Sequence, residues 1–184
     1  MTDSVASLDL VVFPTRDLDE ATRREIINLC NRAFETDEFN DVFDLIANSV
    51  NPMHILGRIE GVLVGHATWS TRRVWLANET CLTTAHLDGV ATDPNRQGRG
   101  IGSVLIERVN TEIADFDIGT LSTERQSFYA RLGWESWQGP TARRYATGDV
   151  PTPDEPVMVL RTPRTPELDL SSSLVIEARR GNSW

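Results

Sequence analysis

One stretch in the middle of the 184-residue chain restricts its fold more than any other. Residues 88–106 read Asp-Gly-Val-Ala-Thr-Asp-Pro-Asn-Arg-Gln-Gly-Arg-Gly-Ile-Gly-Ser-Val-Leu-Ile. Leu87, Val90 and Ala91 belong to an apolar strand, which the Asp93-Pro94-Asn95 turn signal ends. Arg96, Gln97 and Arg99 are set among Gly98, Gly100 and Gly102, and Ile101, Val104, Leu105 and Ile106 then open a helical apolar face. Strand, glycine-rich turn and helix start, in that order, make an anion site. Glycines let backbone N–H groups approach a ligand, and the first-turn N–H groups of a helix have no internal partners. A diphosphate can take those donors, helped by the helix dipole and by Arg96 and Arg99. The run is not a Walker A loop, for no Gly-Lys-Ser/Thr follows. Nor is it the dinucleotide fingerprint, because its glycines fall as G-x-G-x-G. The alternative is a glycine-rich turn without a ligand.

The chain is long enough for one well-buried core and short for two, and no linker or repeat divides it, so a single domain over 1–184 is expected. Its 40% hydrophobic and 24% charged residues are those of an ordinary soluble domain. The start Met-Thr-Asp-Ser-Val lacks the basic and apolar parts of a signal peptide, and no apolar run is long enough to span a bilayer. A cytoplasmic protein without membrane contact is expected. Cys30 falls in a predicted helix and Cys81 in a predicted strand, both expected as small buried hydrophobes and neither in metal or Cys-x-x-Cys spacing. His54, His66 and His86 are scattered on strands without ligand spacing, so no metal is implied. The formal net charge of −9 repels nucleic acid and gives weak support for a cationic substrate.

Along the chain, 8–13 reads as a strand, and Asp17 and Asp19 start a helix that buries Ile26, Ile27, Leu29, Cys30, Ala33 and Phe34. Glu35, Asp37, Glu38, Asp41 and Asp44 are interleaved with Phe39, Val42 and Phe43. That pattern fits either an amphipathic helix with a solvated acidic face or an acidic wall beside a cleft. Strands over 54–59, 62–76 and 80–92, joined by short turns, make an antiparallel meander that runs into the glycine-rich loop. A helix over 101–114, a strand over 118–122 and a short helix over 126–132 closed by Gly133 follow. The proline-rich segment 139–156 reads as loop, and 157–160 and 174–178 as final strands.

Gln97-Gly98-Arg99-Gly100-Ile101-Gly102 resembles the Q/R-x-x-G-x-G/A loop of the GCN5-related N-acetyltransferases (GNATs), and Phe128-Tyr129-Ala130-Arg131-Leu132-Gly133-Trp134 resembles their F-Y-x-x-x-G-F/W motif. Within that superfamily, Asp88-Gly89-Val90-Ala91, Leu121-Ser122, Trp137-x-Gly139-Pro140-Thr141, the loop Thr152-Pro153-Asp154-Glu155 and a terminal Trp184 are similar to the aminoglycoside 2'-N-acetyltransferases, over nearly the whole chain. The resemblance implies an α/β fold with a central mixed, mostly antiparallel sheet flanked by helices. It places an acetyl-CoA core at about 80–135 and a C-terminal part, 139–184, that completes the substrate site. It also implies a homodimer, and direct acetyl transfer from acetyl-CoA to the 2'-amino group of an aminoglycoside, giving antibiotic resistance.

Carried over residue by residue, the resemblance gives Val90, Ala91 and Thr92 to the pantetheine arm, and Gln97, Gly98, Arg99, Gly100, Ile101, Gly102 and Ser103 to the diphosphate. Ser122 lines the same groove. Tyr129 is the acid, a phenol whose ordinary pKa of about 10 lets it protonate a coenzyme A thiolate at little cost. The base is either Asp88, where the aminoglycoside enzymes carry a glutamate, or the α-carboxylate of Trp184. The cationic amino sugar would meet Asp37, Asp41, Asp88, Glu155, Asn182 and Trp184. Asn182 stands where those enzymes carry an aspartate, and Glu155 replaces another. An asparagine cannot offset an ammonium charge, so a smaller or less cationic drug such as kasugamycin is a candidate. The other readings are an N-acetyltransferase of a polyamine or another amino sugar, and a non-catalytic acyl-CoA sensor of the same fold.

Overall fold

The structure, a computed structural model, describes residues 8–77 and 79–179. Its elements in chain order are β1 (Asp9–Pro14), α1 (Glu20–Phe34), α2 (Phe39–Ala47), β2 (Val50–Ile59), β3 (Val62–Leu76), β4 (Cys81–Thr92) and α3 (Ile101–Glu112). They continue with β5 (Ile118–Ser122), α4 (Gln126–Ala130), β6 (Trp134–Ser136), β7 (Thr141–Tyr145), β8 (Gly148–Pro151), β9 (Val157–Arg161) and β10 (Leu174–Glu177). No helix among the described residues is long and apolar enough to cross a membrane. The chain groups into two compact units, one of residues up to Ser70 with Leu87–Val109, the other of Thr71–His86 with Asn110 onwards. The long strands β3 and β4 contribute to both.

In the first unit, Asp19 starts α1 by accepting a hydrogen bond from the Thr22 amide at 2.7 Å. That bond holds the Asp19 carboxyl below the usual carboxylate range. The helix ends on Glu35 in the left-handed conformation (φ 52°). Ile26, Leu29 and Cys30 of α1 and Phe39, Phe43 and Ile46 of α2 pack with Leu56, Leu63 and Ala91. Phe34, expected inside, is 45% exposed and stacks instead on Phe39. Strands β1 and β2 pair antiparallel from Asp9–Arg58 to Pro14–Met53, and Glu60-Gly61, both at positive φ, turn β2 into β3. Helix α3 lies on β3 at Gly65, where a Cβ would come within 2.8 Å of Leu105 Cδ1 and 3.0 Å of Ile101 Cγ2.

In the second unit the strand order is β6-β9-β5-β4-β3-β10-β7-β8. β5 is parallel to β4 and antiparallel to β9, and β10 is antiparallel to β3 and parallel to β7, so the sheet is mixed. Its core gathers Val74, Leu82, Ile118, Trp137, Val157, Val159, Leu174 and Ile176. The expected loop over 139–156 is in part a hairpin, with Ala142 to Tyr145 paired against Pro151 to Gly148. Gly148 supplies the turn at φ 128°, and Pro151, without an N–H, ends a strand that lies at the edge of the sheet. Cys81, expected buried, is exposed at the start of β4, while Cys30 is buried.

The tail strand is fixed by backbone contact. The amides of Gln138 and Gly139 both donate to the Leu170 carbonyl at 2.9 Å, and the Leu174 amide donates to that of Pro140 at 2.9 Å. A Cβ on Gly139 would lie 1.8 Å from the Ser172 carbonyl oxygen, and backbone cannot give way as a side chain can. Gly139→Ala should therefore cost about 3 kcal/mol, since overpacking at this position displaces main chain. Thermal denaturation should read that as a Tm lower by roughly 6–12 °C.

His54 and His66 are both fully buried in the first unit. Burial lowers the pKa of both, that of His54 to about 4, and at His66 the neighbouring His54 lowers it further. The unfolded chain, with ordinary histidines near pH 6.5, then binds more protons than the folded one. Stability should be complete above about pH 6.5 and fall as pH is lowered towards about 4. Urea midpoints between pH 7.5 and 4.5 check this, and His54→Asn should flatten the slope.

Candidate active site

The glycine-rich loop is shaped before any ligand arrives. Asp93 caps the short 3-10 turn Pro94–Arg96 by accepting from the Asn95 amide at 2.9 Å, and its other oxygen pairs with Arg32 at 3.0 Å. The Asp93 amide donates to the Val64 carbonyl of β3 at 2.9 Å, and the Gln97 side chain donates to the Thr92 carbonyl at 3.4 Å. Gly98 (φ 76°) and Gly100 (φ 86°) take left-handed conformations, and nothing lies within 4 Å of where a Gly98 Cβ would be. Gln97, Gly98, Arg99 and Gly100 line the outside of the loop, with both glycines exposed. Helix α3 begins at Ile101 with no acidic residue in its first turn, followed by half-buried Gly102 and Ser103. Open glycine amides leading into a helix start of positive sign fit a diphosphate.

Asp88, Val90, Ala91 and Thr92 follow one another along β4, with Ala91 buried and the others half-buried. Gly89 among them is left-handed (φ 52°), and a Cβ there would meet Phe39 Cζ at 3.0 Å. Phe39 thus brings the acidic α1–α2 segment to the kink of β4. Asp37 and Asp41 flank Phe39 near the surface, while Asp44 is paired with Arg23 at 2.7 Å. The segment is an amphipathic helix whose acidic face is partly neutralised.

In the second unit, Tyr129 sits on α4 and is 8% exposed. Its ring meets Phe128 edge-on at 4.9 Å and Trp134 at 6.0 Å. Trp134 Nε1 donates to Asn110 at 3.1 Å, and Asn110 in turn donates to the Leu132 carbonyl at 2.9 Å. Asn110, on the polar side of α3, carries no motif, and the sequence offered no signal for it. Burial pushes the Tyr129 phenol up to about 12, Arg125 opposing slightly. The phenol therefore stays protonated at neutral pH. A phenol so shifted gives up its proton less readily than one at the ordinary value of about 10. The buried phenol thus keeps its O–H available as a hydrogen-bond donor, with a pKa above the ordinary value of about 10.

Ser122, Glu124, Arg143, Thr152, Asp154 and Glu155 line an open pocket of about 530 Å³ in the same unit. Glu155 accepts from Ser122 Oγ at 3.0 Å and from Arg143 Nη2 at 2.9 Å. Both members of the ion pair are about three-quarters buried. Arg143 was not legible in the sequence, because its position depends on the β7–β8 hairpin. Asn182 and Trp184 lie outside the described residues.

A mixed sheet with helices packed on it, a kinked strand and an open glycine loop at a helix start define a protein built to hold a diphosphate-bearing acyl donor. The chain belongs to the GNAT acetyltransferases: the model of the acetyltransferase (GNAT) domain matches residues 14–137. It is 30% identical over 177 residues, 92% of this chain and 89% of the relative, to an aminoglycoside 2'-N-acetyltransferase of Mycolicibacterium fortuitum. Among solved structures it is similar to the Escherichia coli GNAT family N-acetyltransferase YhbS in complex with CoA (TM-score 0.64, 17% identity, 94% of this chain and 91% of that one). A Brucella melitensis GNAT family acetyltransferase in complex with acetyl-CoA matches with TM-score 0.61 and 17% identity, over 90% and 94% of the two chains. At such identities these two show the fold alone. The GCN5-related N-acetyltransferases of Kribbella flavida and Anabaena variabilis are longer, and the chain spans about a third of their length.

Gly98→Asp places a carboxylate in the open space of the loop. It should weaken coenzyme A binding at least about tenfold by opposing the diphosphate, at a cost in stability of only about 1 kcal/mol from the left-handed backbone. Calorimetric titration with coenzyme A and thermal denaturation read the two effects separately.

Proposed function

We propose that this chain is an aminoglycoside N-acetyltransferase that acts on the 2'-amino group by direct transfer. The observation that carries this reading is the 30% identity to an enzyme of that name over 92% of the chain. Acetyl-CoA is the acetyl donor, and when bound it supplies an activated acetyl thioester. Residues Gly98 to Gly102 hold its diphosphate through backbone N–H groups and the start of α3. Val90 and Thr92 offer their backbones to the pantetheine arm. Asp88 accepts a proton from the amine nitrogen or orients its ammonium form, with the Trp184 carboxylate as the other candidate. Tyr129 donates its phenolic O–H to the departing sulfur. Cys30, buried and with its thiol pushed up by desolvation, takes no part. The active form would be the homodimer, and a sedimentation mass of one chain would remove that element.

A narrower acceptor range is favoured by Glu155. Its charge is offset by Arg143, so this carboxylate is not free to neutralise a further ammonium group. With Asn182 neutral as well, the site suits a drug with fewer positive charges, such as kasugamycin. Arg143→Ala should then widen turnover towards polycationic deoxystreptamine drugs, by about tenfold in kcat/KM.

Thiol release from acetyl-CoA, measured with kasugamycin, gentamicin, tobramycin, kanamycin and spermidine, tests the reading, and NMR of the product locates the acetyl group. Turnover of spermidine alone, or acetylation at any nitrogen other than the 2' one, would overturn it. Tyr129→Phe should lower kcat about a hundredfold, the effect of one well-placed donor, with little change in the KM for acetyl-CoA. In the wild type Tyr129 should add no falling limb to the kcat profile below about pH 10, since its proton is retained to about 12.

A further inference from the structure

The buried histidines of the first unit have a direction built into them. His66 Nδ1 lies 2.9 Å from the Gly89 carbonyl oxygen, and a carbonyl can only accept, so Nδ1 carries the proton. His66 Nε2 of the neutral ring is then an acceptor, and His54 Nδ1, 2.9 Å away, must donate to it. His54 Nε2 in turn accepts from Thr15 Oγ1 at 2.8 Å, which commits the threonine proton to the ring rather than to the Pro52 carbonyl at 3.2 Å. Cys30 Sγ, 3.6 Å from His66 Nδ1, can only share the same N–H. The rings are packed as well as bonded: His54 stacks on Phe43 at 5.5 Å, and the two imidazoles lie 5.2 Å apart. Donors run one way from half-buried Thr15 through two neutral imidazoles to one backbone oxygen. A proton added at His66 Nε2 would set two N–H groups face to face, whereas one at His54 Nε2 would turn the Thr15 hydroxyl to the Pro52 carbonyl.

That oxygen belongs to the left-handed residue of β4, between Asp88 and Val90. No peptide bond among the described residues is cis, so the Gly89 carbonyl and the Val90 N–H share one plane and point opposite ways. We propose that His66 is a positioning residue: by holding the Gly89 carbonyl inward it turns the Val90 N–H outward as a donor for the acyl group, and His54 and Thr15 fix the tautomer that lets it do so. This rests on the acetyl-transfer reading above and assigns the buried histidines a part in it. An apolar side chain at residue 66 could fill the same volume, but only a donor at Nδ1 could set the peptide plane.

The test combines variants with nitrogen NMR. In His66→Asn the side-chain amide can occupy the place of Nδ1 and donate to Gly89, whereas His66→Leu cannot. His66→Leu should lower kcat at least about tenfold and leave the affinity for coenzyme A, held mainly by the loop, within about threefold. His66→Asn should recover most of kcat even if its Tm is no higher than that of the leucine variant. Thr15→Val, at a half-buried position, should lower kcat about threefold and serves if the leucine variant does not fold. In the wild type, nitrogen shifts should show Nδ1–H tautomers for both His54 and His66. A His66 carrying its proton on Nε2, a leucine variant with unchanged kcat, or an asparagine variant no better than leucine would each overturn the proposal. A wild type that acetylates no amine would overturn the proposed function and, with it, the part of His66 in catalysis, whereas an active wild type with the wrong tautomer overturns this inference alone.

Discussion

The seat of α3 on β3 at Gly65 is the contact on which the first unit depends. A diphosphate loop is useful only if the helix that follows it is fixed, and the missing Cβ lets Leu105 and Ile101 lie directly on the strand. The other end of the loop is tied to the same strand, since the Asp93 amide donates to Val64, one residue from Gly65. Loop entry and helix seat are thus anchored within two consecutive residues of β3. The left-handed glycines between them can stay open because neither depends on side-chain packing to hold its place. Rigidity comes from the strand, and access from the glycines.

Charge is distributed less simply than a net charge of −9 suggests. Asp44 is paired with Arg23, Asp93 with Arg32, Glu155 with Arg143, and Glu79 and Asp149 with Arg144. The exposed pairs add little stability, because solvent screens them. The Glu155–Arg143 pair differs in being largely buried and in bonding Ser122 as well, so its geometry is fixed. The carboxylate that lines this pocket therefore has its charge answered within the protein, by an internal counter-ion.

Local signals carried most of the fold into the sequence. The short turns on either side delimited β3 at 62–76 as it is found, and the glycine spacing located the loop and the start of α3. The helix that carries Tyr129 was legible because its motif contains Gly133, which takes φ 90° and so favours glycine there. The β7–β8 hairpin was not, since Pro151 and Gly148 are loop-formers by composition and become strand ends only through pairing across the turn. Cys81 is exposed despite its apolar character, because residue type alone does not say whether the end of a strand is covered. By spacing alone, His54 and His66 are ordinary strand residues. Their bond joins positions on two strands, and the carbonyl that orients them belongs to a third. Arg143 and Asn110 share that difficulty: each acts through a partner 12 or more residues away, which no local pattern encodes.

Burial has one consistent effect on the titratable groups it encloses. His54 and His66 are held neutral far into acid, the Cys30 thiol is pushed up, and the Tyr129 phenol keeps its proton to about 12. Desolvation dominates every one of these shifts, and in each it favours the uncharged form. From about pH 6.5 to about 10, none of the four changes its charge. What burial leaves in the two units is a set of neutral groups of fixed polarity, the Tyr129 phenol in one and the paired imidazoles in the other. Fixed donors need no reorganisation as charge develops, which is where preorganised hydrogen bonds lower a barrier most.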